Sequence, residues 1–236
     1  MRLHDILDGL FPAGHDVAVG GHIVTGCAHT AIGTVAVLGT VDGAAIGHDI
    51  ALRLAGRVLD IVAHFPGRPI VFLVDTKGQA LSRAEELLCL NGSLAHLARC
   101  VDLARRQGHV SLALVTGEAV SGGFLCFGLM ADKTYALADT QVRVMDLKAM
   151  ARVTKIPLER LIDLAAASPT FAPGAENYLR MGAIEAIWDA PSAALLEAAL
   201  ADQKAADSRV DERMVRGAAR KGRRLAATTA VIVASS

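Results

Sequence analysis

Aromatic residues are scarce in this chain: nine in 236 residues, with a single Trp. The hydrophobic share, 53%, is carried instead by Ala, Val and Leu. Small apolar side chains let helices and sheets approach closely, which favours a compact layered α/β body. Charge of either sign is missing as an excess, because 24 Lys and Arg balance 24 Asp and Glu. A neutral chain gives no electrostatic basis for binding nucleic acid or a membrane surface. Neutrality with positive mean hydropathy also points to a surface that a partner covers. The four cysteines, Cys27, Cys89, Cys100 and Cys126, show no paired spacing, so reduced thiols in the cytoplasm are expected. No run approaches the roughly 20 apolar residues of a membrane span, and the N-terminus turns acidic before a signal-type apolar run develops.

What is present is an alternation of strand and helix patterns. Asp16 to Val24, with its Gly-Gly signal, predicts an antiparallel hairpin leading to a first main strand over Gly33–Leu38. A helix is expected from His48 to His64, a strand over Ile70–Val74, a long helix from about Arg83 to Gln107 and a strand over Val110–Val115. Gly122 opens a short helix, and Lys133 to Ala138 reads as a further strand. Apolar runs of this length between helical patterns predict parallel strands buried on both faces. Right-handed crossovers then bring the strand-to-helix loops to one end of the sheet, where open α/β sheets bind ligands. After Thr140 helices are expected at Pro157–Ala167 and Pro173–Met181, a short strand within Ala183–Trp188, and a long helix from Ser192 to about Arg224 with a basic end. The expected organisation is one domain over 1–236, its core about 16–140 and its helical C-terminal extension about 141–236.

Chemistry concentrates where the apolar strands end. In Val115-Thr-Gly-Glu-Ala-Val-Ser-Gly-Gly-Phe124 a strand runs into a small-residue turn and two glycines open a helix. First-turn amides have no partners within the helix and favour an oxygen gaining negative charge. Gly122 and Gly123 therefore suit an oxyanion hole; spacing alone equally allows them to serve tight helix–strand packing. The turn Asp75-Thr-Lys-Gly-Gln79, at the end of the preceding strand, can also expose backbone amides toward the same crevice; taken alone, such a stretch is more often just a turn.

Ser121 lies in a relaxed version of the nucleophile-elbow pattern, so a serine hydrolase is a competing reading. All eight histidines precede Ser121, which leaves only an Asp-His-Ser order open. Glu118, polar within an apolar turn, is a candidate acid or a residue orienting a donor loop. His22, Cys27 and His29 have loose metal-like spacing without a fourth ligand, so no metal is expected. Gly117-x4-Gly122 lacks the Lys-Ser/Thr of a phosphate-binding loop. The basic run Arg220–Arg224 is either a solvated helix end or a contact for an acidic or phosphate-bearing partner.

The order and spacing of Asp75-Thr-Lys-Gly78, Ala84-Glu-Glu86, Gly117-Glu118 and Ser121-Gly-Gly123, followed by Ala131-Asp-Lys-Thr-Tyr-Ala136, resemble the crotonase superfamily, and within it the α-type carboxyltransferase half. Met145-Asp-Leu-Lys-Ala-Met150 and Phe171-Ala-Pro-Gly-Ala-Glu-Asn-Tyr178 resemble the gamma subunits of biotin-independent malonate decarboxylases. Lys77 and Met145-Asp146 depart from the Pro and Ser-Pro of biotin-dependent relatives. The resemblance implies a ClpP/crotonase-like layered fold with parallel ββα units. It also implies a carboxy-lyase that takes a malonyl thioester on an acyl carrier protein to the acetyl thioester. The amides of Gly122 or Gly123 and of Gln79 would hold the enolate in a site shared with a homologous beta subunit. No tightly bound cofactor is implied beyond the thioester prosthetic group of the carrier. A biotin-dependent carboxyltransferase subunit and a non-catalytic scaffold remain the alternatives.

Overall fold

The computed structural model describes residues 1–167, 172–205, 210–223 and 226–235. Helix α1 (Leu3–Leu10) precedes an antiparallel run of β1 (His15–Gly20), β2 (Ile23–Thr30) and β3 (Gly33–Thr40). Then come β4 (Ala44–Ile46), α2 (His48–His64), β5 (Ile70–Gln79), α3 (Arg83–Leu87), α4 (Leu90–Arg106), β6 (Ser111–Val120) and α5 (Ser121–Leu125). The chain continues through β7 (Lys133–Leu137), β8 (Gln141–Arg143), α6 (Leu147–Thr154), α7 (Leu158–Ala167) and α8 (Ala175–Arg180). It ends with β9 (Ile187–Trp188), α9 (Ala193–Ala205), α10 (Arg213–Ala219) and α11 (Ala226–Ala234).

The sheet runs β1-β2-β3-β5-β6-β7-β9, parallel from β3 onward. Both faces of its centre are buried, which is why the strands read as continuous apolar runs. In β5 the side chains of Ile70, Phe72 and Val74 join a core under α2 and α4, while Val71 and Leu73 join a second core under α1 and α9. Helix α2 presents Ala51, Leu54, Ala55, Val58 and Ile61 to the first core, a spacing of three and four that keeps one stripe inward.

Two expected helices are interrupted. The one expected over Arg83–Gln107 breaks at Cys89, whose φ of 61° lies in the left-handed region and re-aims the chain between α3 and α4. The Ser192–Arg224 helix divides into α9 and α10; residues 206–209 and Arg224 lie outside the described residues. The stretch after Thr140, expected to be a helical extension, also returns β8 and β9 to the sheet, and only the latter lies in a stretch expected to form a strand.

Two arginines of the basic end, Arg220 and Arg223, are engaged within the chain, while Lys221 is exposed. Arg220 donates from Nη1 to the carbonyls of Leu179 and Ile184 (2.9 Å each) and from Nη2 to Glu185 O (3.0 Å). Arg223 Nε donates to Met181 O at 2.8 Å, and Arg216 pairs with Glu185 at 2.7 Å. These arginines clamp the turn after α8.

Candidate active site

The apolar stretches of β5 and β6 end at Val74 and Val115, but both strands continue. Beyond Val74 the register between them shifts, and Thr76 comes opposite Ala119. The continuation of β5 pairs with β4 (Ile46 opposite Gln79), and that of β6 pairs with β8 (Val120 opposite Arg143). Four short parallel segments, β4, the ends of β5 and β6, and β8, thus lie side by side at the strand ends where the crevice is expected.

Buried polar groups lock this corner. Thr76 Oγ1 donates to Ala44 O at 2.6 Å and accepts the Gly78 N–H at 3.0 Å. Asp75 Oδ1 accepts the Glu118 N–H at 2.8 Å, tying the two strand ends together. Gly117 is needed there, since a Cβ would stand 2.4 Å from that carboxylate oxygen. Gly78 has a φ of 99°, which a side chain disfavours, and it faces Val120 O. A Cβ on Gly123 would lie 2.7 Å from both Gly78 C and Thr76 Oγ1. The start of α5 is therefore packed backbone against backbone on the β5 turn.

Gly78, Gln79, Glu118, Ser121, Gly122 and Gly123 are thus brought into one neighbourhood, with different local duties. Gly123 is buried and makes the close approach just described. A Cβ on Gly122 would press only on the Gln79 side chain at 3.2 Å, and the Gly122 N–H donates to Gln79 Oε1 at 3.1 Å. Gln79 hence enters the site through its side-chain carbonyl, a contact made across 43 residues. Glu118 Oε2 is ion-paired with Arg143 Nη2 at 2.7 Å, so its carboxylate is engaged by a cation. Ser121 takes a φ of 48°, unusual for a residue with a side chain, at the strand-to-helix turn. No histidine among the described residues hydrogen-bonds it; His48 Nδ1 sits 2.6 Å from Ser93 Oγ. Just past α5, Cys126 is buried and its thiol is pushed up to about 12 by desolvation.

Three residues that shape the corner carried weaker signals. Asp75 and Thr76 stand in the Asp-Thr-x-Gly turn, but their partners are Glu118 and Ala44, far away in the chain. Arg143 had no local signal; β-pairing alone brings it to Glu118. His22, in the turn before β2, and Cys27 and His29 on that strand are spread over up to roughly 23 Å of chain, so they do not gather around an ion. Among the described residues no three His, Cys, Asp or Glu side chains do so. No helix among them is long and apolar enough to cross a membrane.

Comparison with known proteins places this corner in context. Malonyl-S-ACP:biotin-protein carboxyltransferase MADD of Malonomonas rubra is 37% identical over 121 residues, half of this chain. The chain spans about 41% of the length of that relative. A Pseudomonas malonate decarboxylase hetero-tetramer in complex with coenzyme A contains a chain of the same shape. Its TM-score is 0.78 at 26% identity, covering 94% of this chain and 97% of that one. The Pseudomonas MdcD-MdcE hetero-dimer gives 0.74 at 26%, covering 97% and 96%. The transcarboxylase 12S core, at 16% identity and a TM-score of 0.70 over 85% of this chain and 41% of that one, shares the fold. The layered crotonase-type fold expected from the sequence is thereby borne out. The sequence profile described as malonate decarboxylase gamma subunit matches residues 41–236. The chain belongs to the malonate decarboxylase gamma subunit family.

Proposed function

We propose that this chain supplies one oxyanion-binding half of a site that decarboxylates a malonyl thioester carried by an acyl carrier protein. The C–C bond to the carboxylate breaks, carbon dioxide leaves, and the electron pair moves onto the thioester oxygen as an enolate; a proton then gives the acetyl thioester. Neither a metal nor a nucleophile is needed if the enolate oxygen is held and the leaving carboxylate is turned out of the thioester plane. A homologous beta subunit completes the site. The thioester arm belongs to the carrier, and this chain holds no cofactor of its own. Free thiols suit a reducing compartment, and we place the assembly in the cytoplasm.

The observation that carries this reading is the 3.1 Å contact between the Gly122 N–H and Gln79 Oε1. A carbonyl oxygen already sits on the amide assigned to the enolate, held by a side chain able to rotate away. Substrate binding exchanges one carbonyl oxygen for another, and the gain comes when charge develops on the incoming oxygen.

The test is carbon dioxide release from a malonyl thioester by the reconstituted complex, with Gln79→Glu in this subunit. A carboxylate on the Gly122 amide competes with the substrate oxygen, and kcat/KM should fall by about 100-fold, the scale of losing one donor. Undiminished activity in the assembled variant would mean that the amide plays no part and that this chain is a scaffold.

A further inference from the structure

Helix α6 is amphipathic, yet none of its residues is buried. It follows β8, whose Arg143 is paired with Val120 at the edge of the candidate site. Only four steps of chain separate Arg143 from Leu147, at most about 14 Å. Lys148 and Arg152 lie one turn apart on α6, Lys155 caps its end in the left-handed region, and Arg160 follows on α7. All four are exposed, and none of their side chains has a hydrogen bond or ion pair among the described residues. The same stretch, 147–167, holds two acids, Glu159 and Asp163. Asp146 is engaged as the helix cap, accepting the Ala149 N–H at 2.8 Å. In a chain of zero net charge this is a local excess of uncommitted cations, in contrast to the arginines that clamp the turn after α8. Apolar side chains lie among them: Val144, Val153 and Ile162 are 56%, 64% and 51% exposed.

We infer that α6 and the start of α7 form the docking surface for an acidic face of the acyl carrier protein that delivers the thioester. The inference rests on the proposed reaction, because a substrate tethered to a carrier needs a landing surface within reach of the site. Cations one helical turn apart complement an acidic helix, steer its approach, and fix its register. The exposed valines and isoleucine supply the dry contact that a purely ionic surface lacks.

The experiment uses the reconstituted complex carrying Lys148→Glu with Arg152→Glu in this subunit. Binding of fluorescently labelled apo carrier is measured by anisotropy, and decarboxylation is measured with malonyl-carrier and with a short malonyl thioester that lacks the carrier. Carrier affinity and kcat/KM for malonyl-carrier should each fall roughly tenfold or more at low salt, with a smaller difference at high salt. The short thioester should react unchanged, and Lys148→Arg with Arg152→Lys should keep carrier binding. Equal losses on both thioesters, undiminished carrier binding, or separation of the subunits on size exclusion would each overturn the assignment, the last by making α6 a subunit interface. A wild-type complex inactive on both thioesters would sink the decarboxylase reading, while anisotropy would still decide the docking.

Discussion

A single methyl at Gly123 should disable the site without touching a substrate. The Cβ of Gly123→Ala would stand 2.7 Å from Gly78 C and Thr76 Oγ1 and 2.8 Å from Gly78 O. Ordinary contact begins near 3.4 Å, so α5 and the β5 turn must separate by about 0.7 Å. Neither side yields easily: Gly78 is held by its own N–H to Thr76 Oγ1, and that hydroxyl is bound to Ala44 O. Overpacking of this kind costs about 1–3 kcal/mol. The greater effect is geometric, because the shift moves the Gly122 amide away from the oxygen it serves, and a 1 Å misplacement costs on the order of 100-fold in rate. Gly122→Ala is the control for stability alone, since its methyl meets Gln79 Oε1 at 3.2 Å and Leu94 Cδ1 at 3.6 Å, both ends of flexible side chains, while its own amide is the proposed donor. Urea midpoints with constant m-values give the stability change, and carbon dioxide release by the assembled complex gives the rate. Gly123→Ala matching wild type in both would refute the interlock as the device that sets donor position.

Three further outcomes are expected. Asp132→Ala removes a buried carboxylate that holds Arg105 Nε at 2.6 Å and the Ser111 N–H and hydroxyl at 2.8 and 2.7 Å. Chemical denaturation should show a loss of about 3–5 kcal/mol, and a loss under 1 would contradict the burial. Arg220→Met frees three carbonyls of the turn after α8 and should cost about 2 kcal/mol, with hydrogen exchange accelerated at Gly182–Glu185. Because the folded Cys126 thiol titrates at about 12 against 9.0 unexposed to such burial, its contribution to stability is complete below pH 9 and is lost as pH rises towards 12. At pH 8 thiol reagents should label the exposed Cys89 promptly and Cys126 only on unfolding; fast labelling of both would contradict that shift.

Much of the frame was legible because period and burial agree. Helix α2 has the bounds that its apolar spacing predicts, and the centres of β3, β5, β6 and β7 fall on their apolar runs. The ends of β5 and β6 were missed for a definite reason. Asp75–Gln79 and Thr116–Val120 are rich in polar residues and glycine, and they become strands by pairing with β4 and β8, neither of which has a strong pattern of its own. The break at Cys89 was hidden because only a backbone angle marks it. In the site, the glycines and the turn were visible as local motifs. The engagement of Glu118 by Arg143 and of the Gly122 amide by Gln79 depends on contacts across 25 and 43 residues, which no local pattern encodes.

The seating of Gly123 on Gly78 also bears on how such a protein can be redesigned. Where Gly123 meets the β5 turn, only backbone and the fully engaged Thr76 hydroxyl lie at the contact, leaving little to enlarge, trim or recharge. A mutational library aimed at Thr76, Gly78, Gly117 and Gly123 would return mainly misassembled variants, whatever substrate it was selected for. Productive diversity lies instead at positions around this backbone joint, such as Gln79, Ser121 and Arg143. Specificity in this architecture is therefore adjustable from the periphery, while the joint itself behaves as a single inherited part.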